Sequence, residues 1–143
     1  MGRRRISREL ALRALFQADV AGASAEEALE SSTSQARHTA EVVSFARDLT
    51  LGTLEHQCRI DSVIQKHARD WTLERMANVD RNILRLAAFE MLYLPDIPPS
   101  VTIDEAVELA KKYSTAESSR FVNGILGNLV RNLQEERAEL ETP

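Results

Sequence analysis

Glycine and proline are missing from long stretches of this chain, and that scarcity narrows the fold more than any motif does. Among 143 residues there are five glycines and four prolines, and three of the prolines, Pro95, Pro98 and Pro99, crowd into one short segment. Elsewhere almost nothing interrupts a helical hydrogen-bond ladder, because the two residue types that break one are rare. An all-α class is expected. Hydrophobic residues at 43% and charged residues at 28% lie near the soluble globular average. At this length roughly 68% of the unfolded surface can be buried, which suits a single globular domain around one core. Cys58 is the lone cysteine, so an intramolecular disulfide and a cysteine-rich zinc site are excluded, and a cytoplasmic location fits best. The N-terminus lacks the apolar run of a signal peptide, and no stretch approaches the roughly 18 uninterrupted apolar residues of a membrane span.

Periodicity and end signals place the helices. Ser7 to about Val20 forms the first, ended near Gly22. Ser24-Ala-Glu-Glu27 matches a capping box, in which each side chain satisfies the other's backbone N–H, while Ser31 to Ser34 weakens the helix that follows. From Thr39, the positions Val42, Phe45, Leu49, Gly52, His56, Ile60, Val63 and His67 recur every three or four residues and predict one helix about 28 residues long. A short segment beginning at Thr72 leads to Asn78, an N-cap candidate with Asp80 in the following turn, and the next helix runs to about Tyr93. Its apolar positions cover more than half the circumference, which predicts central burial. Beyond the prolines, Thr102-Ile-Asp-Glu105 and Ser114-Thr-Ala-Glu117 read as two further capping boxes opening the last two helices. The domain is expected to span residues 1–133, with the acidic stretch 134–143 frayed. Gly124 and Gly127 lie inside the last helix, where each costs about 1 kcal/mol relative to alanine. Either close helix packing needs them, or Asn123-Gly124 leaves room for a base or a partner backbone.

No catalytic constellation is present. His38, His56 and His67 form no metal-ligand spacing, and the last two fall on an apolar stripe that packing explains. Cys58 has no activating base pattern. The pairs Glu26/Glu27 and Glu135/Glu136 point apart on a helix and read as solvated charge. No phosphate-cradling glycine loop occurs, so no cofactor is expected.

Charge is distributed unevenly. Formal net charge is -4, yet Arg3, Arg4, Arg5, Arg8 and Arg13 gather in the first thirteen residues against Glu9 alone. A basic end on an acidic protein points one surface at a polyanion. If the first helix reaches back to Arg5, then Arg5, Arg8, Leu12 and Phe16 share a stripe on which cations precede an aromatic ring. Guanidinium groups hold phosphates and rings stack on unpaired bases, a combination suited to single-stranded RNA. The alternative is that Leu12 and Phe16 are core and the arginines solubilise a frayed end. Membrane binding is disfavoured because no broad apolar face accompanies the arginines.

Longer motifs separate these readings. Val79-Asp-Arg-Asn-Ile-Leu-Arg-Leu-Ala-Ala-Phe-Glu-Met-Leu, Ile97-Pro, Ile103-Asp-Glu-Ala-Val-Glu-Leu-Ala-Lys-Lys-Tyr and Arg120-Phe-Val-Asn-Gly-Ile-Leu, with Arg4-Arg5-Ile-Ser-Arg8-Glu9-Leu-Ala-Leu-Arg-Ala-Leu-Phe16 ahead of them, together resemble the NusB family. Only about Ser24 to His38 and the acidic end lack its pattern. The resemblance implies an all-α domain of two packed helical bundles. It implies a non-enzymatic transcription antitermination factor that binds boxA RNA of nascent ribosomal transcripts with NusE, a small-subunit ribosomal protein, and modifies RNA polymerase elongation. It implies RNA contacts from Arg4, Arg5, Arg8, Phe16, Arg120, Phe121 and Asn123, and a NusE-facing surface of Glu74, Arg75, Asp80, Arg81 and Glu117. Phe16 stands where the family has tyrosine, keeping a stacking face without the hydroxyl, and Arg120 stands for lysine. Asp80 and Glu117 have competing explanations in the helix dipole and a capping box. Arg85, inside an apolar helix, is expected to pair locally. The same helical domain resembles the auxiliary N-terminal domain of ribosomal RNA cytosine methyltransferases, but no catalytic domain is expected after Leu133. A homodimer with an incidental basic end is the third alternative.

Overall fold

The computed structural model describes residues 2–141. Their regular structure is entirely helical, without a strand among the described residues. Contacts sort the chain into two compact units, Met1–His56 and Gln57–Pro143.

The first unit holds α1 (Arg3–Ala21), α2 (Ala25–Thr33) and α3 (Ala40–Glu55). Helix α1 stops because Gly22 takes the left-handed conformation, φ 69°, which only glycine adopts without penalty. The Ser24–Glu27 capping box forms as expected and starts α2, and Thr39 caps α3 by accepting from the Val42 N–H. Small side chains let the helices approach. Leu10 packs with Val42 and Ala46 between α1 and α3, and Ala14 with Ala28 and Leu29 between α1 and α2. Ser7 Oγ, buried in this contact, donates to the Val42 carbonyl at 2.8 Å.

The long helix expected from Thr39 to His67 is two helices. It breaks at His56, whose backbone sits at φ -104°, ψ 18°, and α4 (Gln57–His67) restarts in the second unit. The cause lies in the turns before the break. Buried Thr50 and Thr53 turn their hydroxyls back onto the carbonyls of Ala46 and Leu49, a bond that loosens and bends a helix. Gly52 between them adds backbone freedom.

In the second unit α4 is followed by a 3-10 turn (Leu73–Arg75), α5 (Asn78–Tyr93), α6 (Pro99–Tyr113), α7 (Ala116–Arg131) and α8 (Leu133–Leu140). Helix α5 is the centre, with Asp80 and the whole run Asn82 to Leu92 buried. Several of its buried polar groups find partners on neighbouring helices, as low-dielectric burial favours. Arg85 grips Asp61 of α4 through two hydrogen bonds of 2.8 and 3.0 Å, the local pairing expected of it. Glu90 accepts from Thr102 Oγ1 of α6 at 3.1 Å.

Three expected caps lie elsewhere. Asn78 is the first residue of α5, with Ala77 at the cap. Its side-chain oxygen is occupied by Arg81 at 2.6 Å. Thr102 lies inside α6, because Pro99 at the first position starts that helix one turn earlier. There the missing proline N–H costs nothing. For α7 the cap is Thr115, accepting from the Ser118 N–H, and no Ser114–Glu117 box forms. The Ser114 N–H is still engaged by the Ala110 carbonyl at the end of α6.

The acidic end is also ordered differently from expectation. Residues 133–140 form α8 instead of fraying at 134, because basic and apolar partners await it. Glu136 is buried and accepts from Lys66 of α4 at 2.6 Å, Arg59 meets Glu139 at 3.1 Å, Arg137 donates to the Met91 carbonyl, and Leu133 joins the core. His67 closes this corner, 10% exposed and 3.9 Å from Glu136. Burial holds its pKa below the ordinary 6.5, against the pull of the Glu136 carboxylate.

A histidine kept neutral by folding lets the unfolded chain bind more protons below its unfolded pKa. Stability is therefore full above 6.5 and falls as pH drops beneath it. Denaturant titrations at about pH 7.5 and about pH 5.5 are expected to give a lower midpoint at the acid end, and His67→Phe to shrink that difference. An equal loss in both proteins would exclude His67 as the cause.

Candidate nucleic-acid interface

At the N-terminal surface, α1 begins at Arg3, so the arginine cluster forms its first turns. No acidic residue accompanies it there. Cations at the positive end of a helix dipole each cost roughly 0.3–1 kcal/mol, so this placement is not explained by helix stability. Arg3 is tied to Glu41 at 2.7 Å. Arg4 and Arg5 are exposed, with the Arg4 guanidinium 4.5 Å over the Phe45 ring, a cation–π contact that steers it without neutralising it. Arg8 departs from the expected exposed stripe. It is 3% exposed, with its guanidinium 6.0 Å from the Phe45 centroid, because one turn along α1 the helix face has already rotated into the core. A phosphate contact from Arg8 requires that side chain to swing outward. Leu12 is core and Phe16 half-buried, so the stripe passes from solvent to interior along its length.

In the second unit the other expected residues gather around α7. Arg120 and Asn123 are exposed on one face, and Phe121 is half-buried. Phe121 holds Trp71 in an edge-to-face contact, ring centroids 6.1 Å apart and planes at 81°. That pair forms a ridge between two shallow depressions of opposite net charge. On one side lie Arg75, Asp80, Thr115, Glu117 and Ser118. On the other lie Arg69, Asp70, Arg120, Gly124, Asn128 and Arg131. The first depression unites three of the residues expected to face NusE, Arg75, Asp80 and Glu117. Glu74 is exposed on the 3-10 turn beside it, and Arg81 is spent on structure, donating to the Leu73 carbonyl at 3.0 Å and to Asn78.

Asp80 is 6% exposed. Its Oδ2 accepts from Ser118 Oγ of α7 at 2.9 Å, while Oδ1 is buried without a hydrogen-bond partner. Asp80 therefore ties two helices together besides sitting in a first turn. Ser118 carried no motif signal, since a serine that bonds a carboxylate 38 residues away looks like any surface serine in sequence. Trp71, the sole tryptophan, likewise belongs to none of the motifs read from the sequence. Among the described residues no group of histidine, cysteine, aspartate and glutamate is placed to hold a metal ion.

Residues 5–131 match the NusB family model. The chain belongs to the NusB family. It is 50% identical over 135 residues to the transcription antitermination protein NusB of Desulforamulus reducens, covering 94% of each chain. The structure of T. maritima NusB superimposes with a TM-score of 0.85 at 38% identity, over 97% of this chain and 98% of that one. The structure of antitermination factors NusB and NusE in complex with dsRNA matches with a TM-score of 0.83 at 27% identity, over 90% and 96%. NusB proteins are non-enzymatic, all-α antitermination factors, so this family membership bears out both the expected fold class and the expected lack of catalysis.

Removing the Ser118 hydroxyl would leave a buried carboxylate of this NusB chain short of its donor. Ser118→Ala is expected to lower stability by roughly 1–3 kcal/mol, measured by denaturant unfolding. A change within experimental error would show that water replaces the hydroxyl and that the α5–α7 tie is dispensable.

Proposed function

We propose that this NusB protein binds single-stranded boxA RNA of nascent ribosomal transcripts together with NusE, and that it acts in the cytoplasm within an RNA polymerase antitermination complex. The observation that carries this reading is the arginine-rich first turn of α1, which contains no acidic residue of its own. Local stability opposes that arrangement, and a polyanion ligand would favour it. The second support is the division of charge about the Trp71–Phe121 ridge. The depression carrying Asp80 and Glu117 would repel phosphate, and it suits a protein partner with basic groups. The side carrying Arg120 suits RNA. The resemblance to a NusB that forms a complex with NusE and dsRNA supports both halves. In this reading Arg4, Arg5, Arg120 and Asn123 supply exposed polar contacts, Phe16 and Phe121 supply rings, and Arg8 holds Phe45 beneath Arg4 until RNA draws it out. Glu74, Arg75, Asp80 and Glu117 form the NusE surface, with Arg81 bracing the 3-10 turn through the Leu73 carbonyl.

Binding of boxA RNA and of a scrambled control, titrated at several salt concentrations with and without NusE, tests the proposal. The natural chain is expected to prefer boxA and to bind it more tightly with NusE, since two linked surfaces then share one strand. Arg4→Ala combined with Arg5→Ala should flatten the plot of log affinity against log salt by about 1.4, the share of two single-strand phosphate contacts. Equal affinity for both RNAs would sink the boxA assignment, and an unchanged slope would remove these arginines from the contact surface.

A further inference from the structure

Gly124 lies inside α7, where glycine weakens a helix unless its missing side chain is useful. Helix packing does not use it. A β-carbon built at Gly124 would meet no atom of the surrounding fold within 4 Å, so no neighbouring element needs the room. The glycine is exposed, and it floors the depression bordered by Arg69, Trp71, Arg120, Phe121 and Arg131. Trp71 is 51% exposed, an unusual display of the side chain that gains most from burial. Phe121 fixes it from one edge, so the indole is held in place while half its surface stays open. Arg69, Arg120 and Arg131 place three guanidinium groups around the depression against the single carboxylate of Asp70, so the groove is net positive.

A smooth floor, an open ring on a fixed mount and surrounding guanidinium groups match the chemistry of one unpaired nucleotide. The ring offers a stacking face to a base, the guanidinium groups take its flanking phosphates, and the glycine gives the sugar–phosphate chain clearance. We propose that the groove over Gly124 is a further nucleotide subsite, in which a base of single-stranded RNA stacks on Trp71 while its backbone crosses Gly124 between Arg69, Arg120 and Arg131. This subsite rests on the RNA-binding reading and adds Arg69, Trp71, Gly124 and Arg131 to the residues that serve it.

Two substitutions separate function from folding because their effects run in opposite directions. Gly124→Ala removes a helix-weakening residue where a methyl group fits the free protein, so it is expected to raise the melting temperature by about 3 °C and to weaken boxA RNA binding several-fold. Trp71→Ala should weaken binding roughly tenfold or more, and Trp71→Phe should recover part of that loss, since stacking tolerates any ring. Trp71 is the sole tryptophan, so its fluorescence reports the site directly. Titration with boxA RNA is expected to quench it, and to do so less effectively in Gly124→Ala. The subsite is overturned if Gly124→Ala and Trp71→Ala bind RNA as tightly as the natural chain while Arg4→Ala with Arg5→Ala binds weakly, a result that leaves the RNA-binding reading intact. It is overturned equally if the two groove variants lose NusE and keep RNA, which makes the groove a protein contact. Failure of the natural chain to bind RNA at all removes the subsite and the broader reading together.

Discussion

Burial of α5 is the constraint on which the second unit depends. A helix enclosed on nearly every side is costly to furnish with unanswered polar groups, because each unsatisfied buried group costs roughly 1–3 kcal/mol. The polar residues α5 carries therefore reach neighbouring helices: Arg85 to Asp61 of α4, Glu90 to Thr102 of α6, Asp80 to Ser118 of α7. These bonds add positional definition to an apolar core that would tolerate small slips. They hold the start of α7 against the start of α5, and the aromatic ridge and its two depressions are built around that junction.

Where local stability rules are broken, the proposed RNA contact supplies a reason. Arginines crowd the positive end of a helix dipole, a glycine interrupts α7 without a packing need, and a tryptophan stands half in solvent. Each departure costs some folding free energy, and each is what the proposed RNA contact would use: charge, clearance or a ring. Consistency between sequence and structure elsewhere makes these exceptions informative.

Much of the fold could be read from the chain. The helices of α1, α2, α5 and α7 announce themselves through apolar spacing, the Gly22 stop and the Ser24–Glu27 box, all of which act over one or two turns. The misplaced features depended on distant partners. The break at His56 follows from threonine hydroxyls turned back onto their own helix, which periodicity cannot see. Thr102 looks like a cap until Glu90 claims its hydroxyl. The end of the chain looks frayed until Lys66, Arg59 and the Met91 carbonyl receive it.

The candidate site divides in the same way. Sequence by itself determined the family, the helical class and the basic first turn, because these reside in residue order and short-range spacing. Only the tertiary structure decided that Arg8 turns inward, that Trp71 meets Phe121, and that the two sides of that ridge differ in net charge. Those outcomes depend on which side chains distant segments place within a few ångströms of each other, and the order of residues along a chain does not contain that distance.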